Sequence, residues 1–280
     1  MTDQAKGKVG AAAPVRGAAS APEKRRMPLG AQKSRDLLLS IVSPVLALLL
    51  WEAAVRFGLL DGRFFPPPSA TIARLVEMIA SGELWKAVSI SLWRIGIGFL
   101  VGAIPGVLIG LTMGLFPWVR AVLNPAVAAL YPIPKLALLP LIMLAFGLGE
   151  LSKVMTIAIG VFFPVLINTV AGVVGIERIY LDVARNFGAG RKDFYLTIAL
   201  PGALPMMWTG LKLGAGVALL LIVAAEMIAA GSGIGYMIWT GYAIFDLEQM
   251  FVGFIVMAAM GYLSSTLLDG LERWIIPWKH

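Results

Sequence analysis

The sequence of 280 residues contains no cysteine and only one histidine, His280. Without cysteine the chain has no disulfide bonds, no iron–sulfur cluster and no thiolate ligands for zinc. A single histidine is too little to assemble a metal centre or the nucleophile and base of a covalent catalyst. These absences make a membrane-embedded enzyme the weakest of the functions considered.

Charged side chains are also scarce. They make up 14% of the residues, whereas hydrophobic residues make up 59%, and an ordinary soluble domain has about 25% charged residues. The net charge is +7, but no basic patch with interleaved aromatic residues is present, so we expect no nucleic-acid partner. The composition is typical of a membrane protein, with lipid as its surroundings.

Six apolar runs are long enough to cross a bilayer, which takes about 20 helical residues. They cover residues 37–55, 88–114, 121–147, 151–175, 202–230 and 249–271. Glycine and proline recur inside the runs, which membrane helices tolerate because neighbouring helices satisfy the freed backbone groups. The fold class predicted is therefore an all-α membrane protein with six transmembrane helices. Residues 1–36 are rich in Ala, Gly, Pro, Lys and Arg and are expected to form a disordered basic cytoplasmic tail ahead of a membrane domain at 37–280.

The orientation of the chain in the membrane follows from its basic residues, because short loops rich in Lys and Arg stay on the cytoplasmic side. With six spans, the tail, the loops near 115–120 and 176–201, and the C-terminus share one side. That side carries fifteen Lys and Arg residues, and the opposite side carries five. Both termini are therefore expected to be cytoplasmic.

Four of the ionisable residues within the apolar runs qualify as candidate buried charges: Arg94, Lys135, Lys212 and Glu226. A charge in mid-bilayer costs about 2.5–3.5 kcal/mol on insertion scales and usually faces the interior of the bundle. All four are candidates for a transport pathway, Lys135 first, because prolines 132, 134 and 140 break the helix around it. The alternatives are a structural ion pair or snorkelling for Arg94 and Glu226, and a structural role at the cytoplasmic end for Lys135.

The loop between spans four and five contains the stretch "DVARNFGAGRKDFYLTIALP" at 182–201. A short helix is expected over 181–187, with Gly188 ending it at a positive φ. A second helical segment is expected over 191–200, and Pro201 suits the entry to the next span. Composition alone leaves open whether this is a docking element or an ordinary connecting loop.

This stretch resembles the EAA loop of ABC importer permeases: Glu-Ala-Ala, three residues, Gly, nine residues, Ile, one residue, Leu-Pro. The matching positions are Asp182, Val183, Ala184, Gly188, Ile198, Leu200 and Pro201. Asp replaces Glu and Val replaces the first Ala, and every spacing is kept. The resemblance extends over about 66–275 and is nearest to the nitrate/sulfonate/taurine subfamily, with "PPPSATIARLVEMIASGELW" at 66–85 and "VAAEMIAAGSGIGYMI" at 223–238 among the stretches that carry it.

The resemblance implies that residues 37–280 are a permease domain whose loop at 176–201 couples it to an ATPase. It also implies two ATP-binding subunits, a second permease copy, a periplasmic solute-binding protein, and a location in the bacterial inner membrane. The sequence has no G-x-x-x-x-G-K-[ST] phosphate loop, so no cofactor is expected in this chain, and ATP with magnesium is expected on the partner. The glycines of "GSGIG" at 231–235 are expected to form a turn at the periplasmic end of span five.

The main alternative is an ion-coupled secondary transporter. Such transporters show internal repeats and paired acidic residues within their spans. Neither is evident here, and Glu226 is nearly alone among acids in the runs. The expected function is therefore import of a small solute. The expected solute is an anion such as nitrate, a sulfonate or a taurine-like compound.

The predicted topology can be checked by single-cysteine labelling, which is clean because the native chain has no cysteine. A cysteine at Phe245 should react with a membrane-impermeant maleimide added from the periplasm, whereas one at Gly190 should not. Labelling of position 190 from outside, or protection of position 245, would contradict the topology.

Overall fold

A computed structural model describes residues 29–188, 190 and 194–279. The chain divides into two compact units, residues 1–50 and residues 51–280. The described part of the first unit is the beginning of one helix, and its apolar side chains from Val42 to Leu50 are exposed. The second unit contains the remaining helices.

All regular elements within the described ranges are helical, as the sequence predicts. The α-helices are α1 (Leu29–Arg56), α2 (Pro68–Ala80), α3 (Glu83–Leu115), α4 (Pro117–Leu130), α5 (Leu139–Phe146), α6 (Glu150–Val174), α7 (Arg178–Asn186), α8 (Leu200–Ala229), α9 (Ile234–Ala243) and α10 (Leu247–Ile275). Shorter turns lie at Lys135–Leu138, Phe194–Ala199 and Pro277–Lys279. Helices α2 and α9 were not expected from the apolar runs, since both are too short to cross a bilayer.

Four helices among the described residues are long and apolar enough to span a membrane. They are Glu83–Leu115, Glu150–Val174, Thr197–Ala229 and Leu247–Ile275, and they contain or closely match the second, fourth, fifth and sixth runs. The bent pair Pro117–Leu130 and Lys135–Phe146 gives a fifth span if it crosses as one unit. The first run lies within α1, which begins at Leu29, so residues 29–36 of the expected tail are helical. Residues 1–28 of that tail lie outside the described part.

The third run, 121–147, is not one continuous helix. It is divided between α4 and a segment at 135–146, and the chain bends by 87° between the two. The bend follows from Pro132 and Pro134, because proline lacks the N–H that a helix requires and its ring clashes with the preceding turn. The prolines were noted in the sequence, but the size of the bend was not predicted.

Close packing of α3 against α6 forms the centre of the second unit. Glycines recur at every fourth position along α3, at 98, 102, 106, 110 and 114. At each of them a Cβ atom would meet α6: the first would press on Ile157, the second on the carbonyl of Ala158 and the last on Val173. The two helices therefore run parallel with their backbones in close approach, as small residues permit in membranes.

Helix α8 packs antiparallel on the other face of α6. Gly172 lies against Ala203 at one end of the contact, and Gly160 lies against Leu221 towards the other. The side chains enclosed by the three helices are aliphatic, among them Val161, Val165 and Ile222. Helices α3, α6 and α8 thus form a tightly packed three-helix core.

Substitution of Gly102 by Ala should destabilise this core. The added methyl group would overlap the backbone carbonyl of Ala158, and such overpacking costs about 1–3 kcal/mol. Gly96→Ala is the matched control, because it lies on the same helix with no atom within 4 Å of the new methyl group. In detergent, thermal unfolding of Gly102→Ala should occur at a lower temperature than that of wild type, and Gly96→Ala should unfold at or above the wild-type temperature. Equal unfolding temperatures for the two variants would contradict the packing.

Candidate functional site

The first half of the loop at 176–201 is the short helix α7, Arg178–Asn186, as predicted. Gly188 follows it with φ of +65°, and a Cβ atom added there would have no neighbouring atom within 4 Å. The positive φ confirms the prediction that Gly188 ends the helix. Asp182 and Val183 are exposed, and the side chain of Ala184 lies outside the described part.

Helix α7 exposes an apolar stripe that the sequence analysis missed. Ile179, Val183 and Phe187 are four residues apart and are 62%, 49% and 86% exposed. Residues at this spacing share one face of a helix. A contiguous exposed apolar stripe on a polar loop is typical of a protein-docking surface, and its spacing could have been recognised in the sequence.

The second half of the loop leads directly into α8. The turn Phe194–Ala199 is followed without interruption by α8, which begins at Leu200. Pro201 lies in the first turn of that helix, as predicted. Ile198 and Pro201 line a cavity of about 440 Å³ together with Tyr180 of α7 and Trp278 near the C-terminus. Because α8 runs unbroken to Ala229, a displacement of the loop acts on one end of a 30-residue helix.

At the opposite end of the core, a buried arginine joins three helices and a turn. Arg94 of α3 is 1% exposed, and its guanidinium holds Glu150 of α6 with two bonds, Nε to Oε2 at 2.5 Å and Nη2 to Oε1 at 2.7 Å. Its Nη1 donates to Glu226 of α8 at 2.7 Å and to the carbonyl of Ser232 at 2.8 Å, and Nη2 also donates to Ser232 Oγ at 3.0 Å. All five N–H groups of the guanidinium are therefore engaged.

Glu226 is fully buried and is satisfied on every side. Besides Arg94, it accepts a hydrogen bond from Ser91 Oγ at 2.8 Å and one from the backbone N–H of Gly235 at 2.8 Å. Ser91 Oγ in turn accepts from the backbone N–H of Ile234 at 2.9 Å. Two otherwise unsatisfied N–H groups at the start of α9 are thereby capped by side chains of α3 and α8.

The chain turns between α8 and α9, where the sequence predicts a turn at 231–235. The network described above holds this turn in place. Gly233 has φ of +105°, and a Cβ atom there would overlap the carboxylate of Glu226. Lys153 is buried as well and lies 3.6 Å from Glu150, so two cations balance two carboxylates. Arg94 and Glu226 thus form the structural pair that the sequence left as an alternative. The contact of Glu150 with Arg94 was missed, because the two residues are far apart in the sequence.

Lys135 lies apart from this network, at the bend between α4 and α5. Its Nζ donates to the carbonyls of Leu130, Tyr131 and Ile133, each at 2.9 Å, and lies 4.4 Å from the centre of the Phe163 ring. The three carbonyls lie where the prolines interrupt the helical hydrogen bonding. The ammonium group therefore satisfies the broken end of α4 in the conformation described.

Lys212 also lies apart from the other three candidates. Its Nζ contacts the carboxylates of Asp269 and Glu272, both on α10. Nearby, Trp208 Nε1 donates to the carbonyl of Leu268 at 3.0 Å. These contacts join α8 to α10, and the sequence analysis did not identify the two acidic partners.

Comparison with known proteins identifies relatives over most of the chain. Residues 106–280 match the family described as "Binding-protein-dependent transport system inner membrane component". The taurine transport system permease protein of Escherichia coli K12 is 34% identical over 260 residues, which cover 91% of this chain and 93% of that protein. The nitrate import permease protein of Leptolyngbya laminosa is 33% identical over 196 residues, 70% of each chain. A methionine ABC transporter solved in an inward-facing conformation has the same fold, with a TM-score of 0.52 and 20% identity over 69% of this chain and 94% of its own.

Replacing Arg94 by Gln should destabilise the protein strongly, because Glu226 would be left buried without its cation. Removing one partner of a buried ion pair costs about 3–5 kcal/mol. Arg63→Gln is the matched control, since Arg63 pairs with Asp61 on an exposed turn. The Arg94 variant should unfold well below the wild-type temperature in detergent, and the Arg63 variant should match wild type. An unchanged unfolding temperature for Arg94→Gln would show that the network does not hold the helices together.

Proposed function

Since the chain belongs to the family of binding-protein-dependent transport system inner membrane components, within its nitrate/sulfonate/taurine subfamily, we propose that it imports a small sulfonate or related anion. The family is one of transport permeases and not of enzymes. The chain is a multi-pass membrane protein, and it functions as the permease subunit of an ABC importer. The substrate, the partners and their stoichiometry are the parts proposed here.

The exposed stripe on α7 is the observation that supports an ATPase partner. Ile179, Val183 and Phe187 present apolar surface from a short helix that Gly188 ends. Burying such surface in a cleft of a partner is favourable by about 25 cal/mol per Å². We propose that two ATP-binding subunits dock on this helix, one for each copy in a permease dimer, and that they bind all the ATP and magnesium used.

Helix α8 supplies the mechanical connection from that docking surface to the core. The loop passes into α8 at Leu200, and the helix ends at Ala229, beside the Arg94 network. Closure of the ATPase dimer would then shift a core that moves as one body, because close packing does not deform continuously. The positions Asp182, Ala184, Ile198 and Pro201 belong to this proposed coupling element.

For the pathway we propose Lys135 in preference to the other three ionisable residues. Arg94, Glu226 and Lys212 each bind partners on other helices, so releasing them would break contacts between those helices. Lys135 instead binds carbonyls near its own bend and contacts the ring of Phe163 on α6, so its release would break none of the ion pairs among the described residues. A cation at the bend of the broken span would suit an anionic solute.

The substrate class rests on the relatives. The relatives named above are permeases for taurine and for nitrate. Taurine is a sulfonate zwitterion, and nitrate is an anion. A periplasmic binding protein is proposed to deliver the solute to an inner-membrane complex with both termini in the cytoplasm. The secondary-transport alternative gains no support from Glu226, because this buried acid is held by Arg94.

The experiment is transport in proteoliposomes that contain the permease, a co-expressed ATPase and a taurine-loaded binding protein. Uptake should require ATP and persist when a protonophore collapses the proton gradient. The permease alone should hydrolyse no more ATP than an empty control. Uptake that continues without ATP and stops with the gradient would establish the ion-coupled alternative.

The coupling role is tested in the same assay with Gly188→Val and Asp182→Arg. A β-branched residue at positive φ costs about 1–3 kcal/mol of local strain, so both variants should insert normally while uptake and ATPase stimulation fall at least several-fold. Gly58→Val is the matched control, because Gly58 has φ of +74° and equally open surroundings but lies outside the loop. Wild-type uptake in both loop variants with the ATPase bound would show that 182–188 is an ordinary connection.

A further inference from the structure

A second cavity, of about 210 Å³, lies at the end of the core that carries the Arg94 network. This open cavity is lined by α2, by the first turns of α3, by the turn after α8, and by α9 with the start of α10. Its apolar lining includes Met78, Ala87 and Met237, and its polar lining includes Tyr236. The volume corresponds to roughly seven water molecules at their share of liquid volume, which suits a solute of amino-acid size.

Two opposite charges line this cavity. Glu83 and Lys86 are three residues apart at the start of α3, a spacing that places them on one face of the helix. Over the described residues, neither side chain forms an ion pair with the other or with any further group. Arg74 of α2, by contrast, pairs with Glu77 and with Asp246.

The wall beside these charges is held in place by the buried network. Ser232 lines the cavity, and both its carbonyl and its Oγ accept hydrogen bonds from Arg94. Gly233, also in the lining, has φ of +105° and has no room for a side chain next to Glu226. A polar wall fixed in this way is preorganised, which reduces the ordering cost of binding.

We propose that this cavity is a binding subsite for a small zwitterion that carries an ammonium group at one end and an oxyanion at the other. Glu83 receives the ammonium group, Lys86 the sulfonate or carboxylate, and the apolar lining covers the short carbon chain between them. The choice of an imported solute as the occupant rests on the proposed function. The charge arrangement itself selects zwitterions over simple anions, because an anion alone would leave Glu83 facing like charge.

The test measures equilibrium binding of radiolabelled taurine to the permease–ATPase complex in nanodiscs without binding protein. Binding should be saturable, and ethanesulfonate and ethylamine should each compete at least tenfold more weakly, because each lacks one of the two charges. Glu83→Gln should abolish the preference for taurine over ethanesulfonate, and Lys86→Gln the preference over ethylamine. Ala87→Phe should block the cavity and abolish binding.

Asp61→Asn and Arg63→Gln serve as matched charge controls, since this pair lies on an exposed turn outside the cavity, and both should bind taurine as wild type does. Binding that is absent from wild type while ATP-dependent uptake with binding protein is intact would overturn the subsite and leave the transport function standing. Binding that is insensitive to Glu83→Gln and Lys86→Gln would also overturn it. Reduced uptake in these variants with unchanged taurine binding would assign the two charges to contact with the binding protein, against the proposal.

Discussion

The hydrogen bonds of the Arg94 guanidinium are the interaction on which the end of the core opposite the 176–201 loop depends. A buried arginine is tolerated when all of its donors are satisfied, and here five N–H groups meet two carboxylates and one serine. This arrangement joins α3, α6 and α8 at one end, and Glu226 passes the constraint on by capping α9. The positions of the 231–235 turn and of the cavity beside it follow from this one residue.

The same core is fixed along its length by close packing and is therefore suited to move as a unit. The glycines of α3 bring its backbone against α6, and α6 is in turn packed against α8. The broken span is different, because its bend is held by Lys135 through its own carbonyls and by one aromatic ring. The bundle therefore combines a closely packed core with one bent span.

The polar residues inside the bundle show how far sequence reasoning extends. The apolar runs made Arg94, Lys135, Lys212 and Glu226 conspicuous, because each is costly in lipid. Their partners were not evident, since Glu150 and Asp269 are 56 and 57 residues away from the cations they bind. A hydrogen bond depends on distance in space, and the sequence pattern reports only distance along the chain.

The sequence by itself determined the helical class, most of the spans and the turn at Gly188, and it supplied the prediction of a coupling motif. These are local properties, set by hydrophobic length, by the backbone freedom of glycine and by fixed spacings. The apolar stripe on α7 was within its reach as well, because residues four apart share a helical face whatever the rest of the chain does. Only the tertiary structure decided the 87° bend, the partners of Arg94 and the cavity between Glu83, Lys86 and Ser232. Each of those depends on which helices pack together, and that is set by the side-chain contacts of the whole bundle at once.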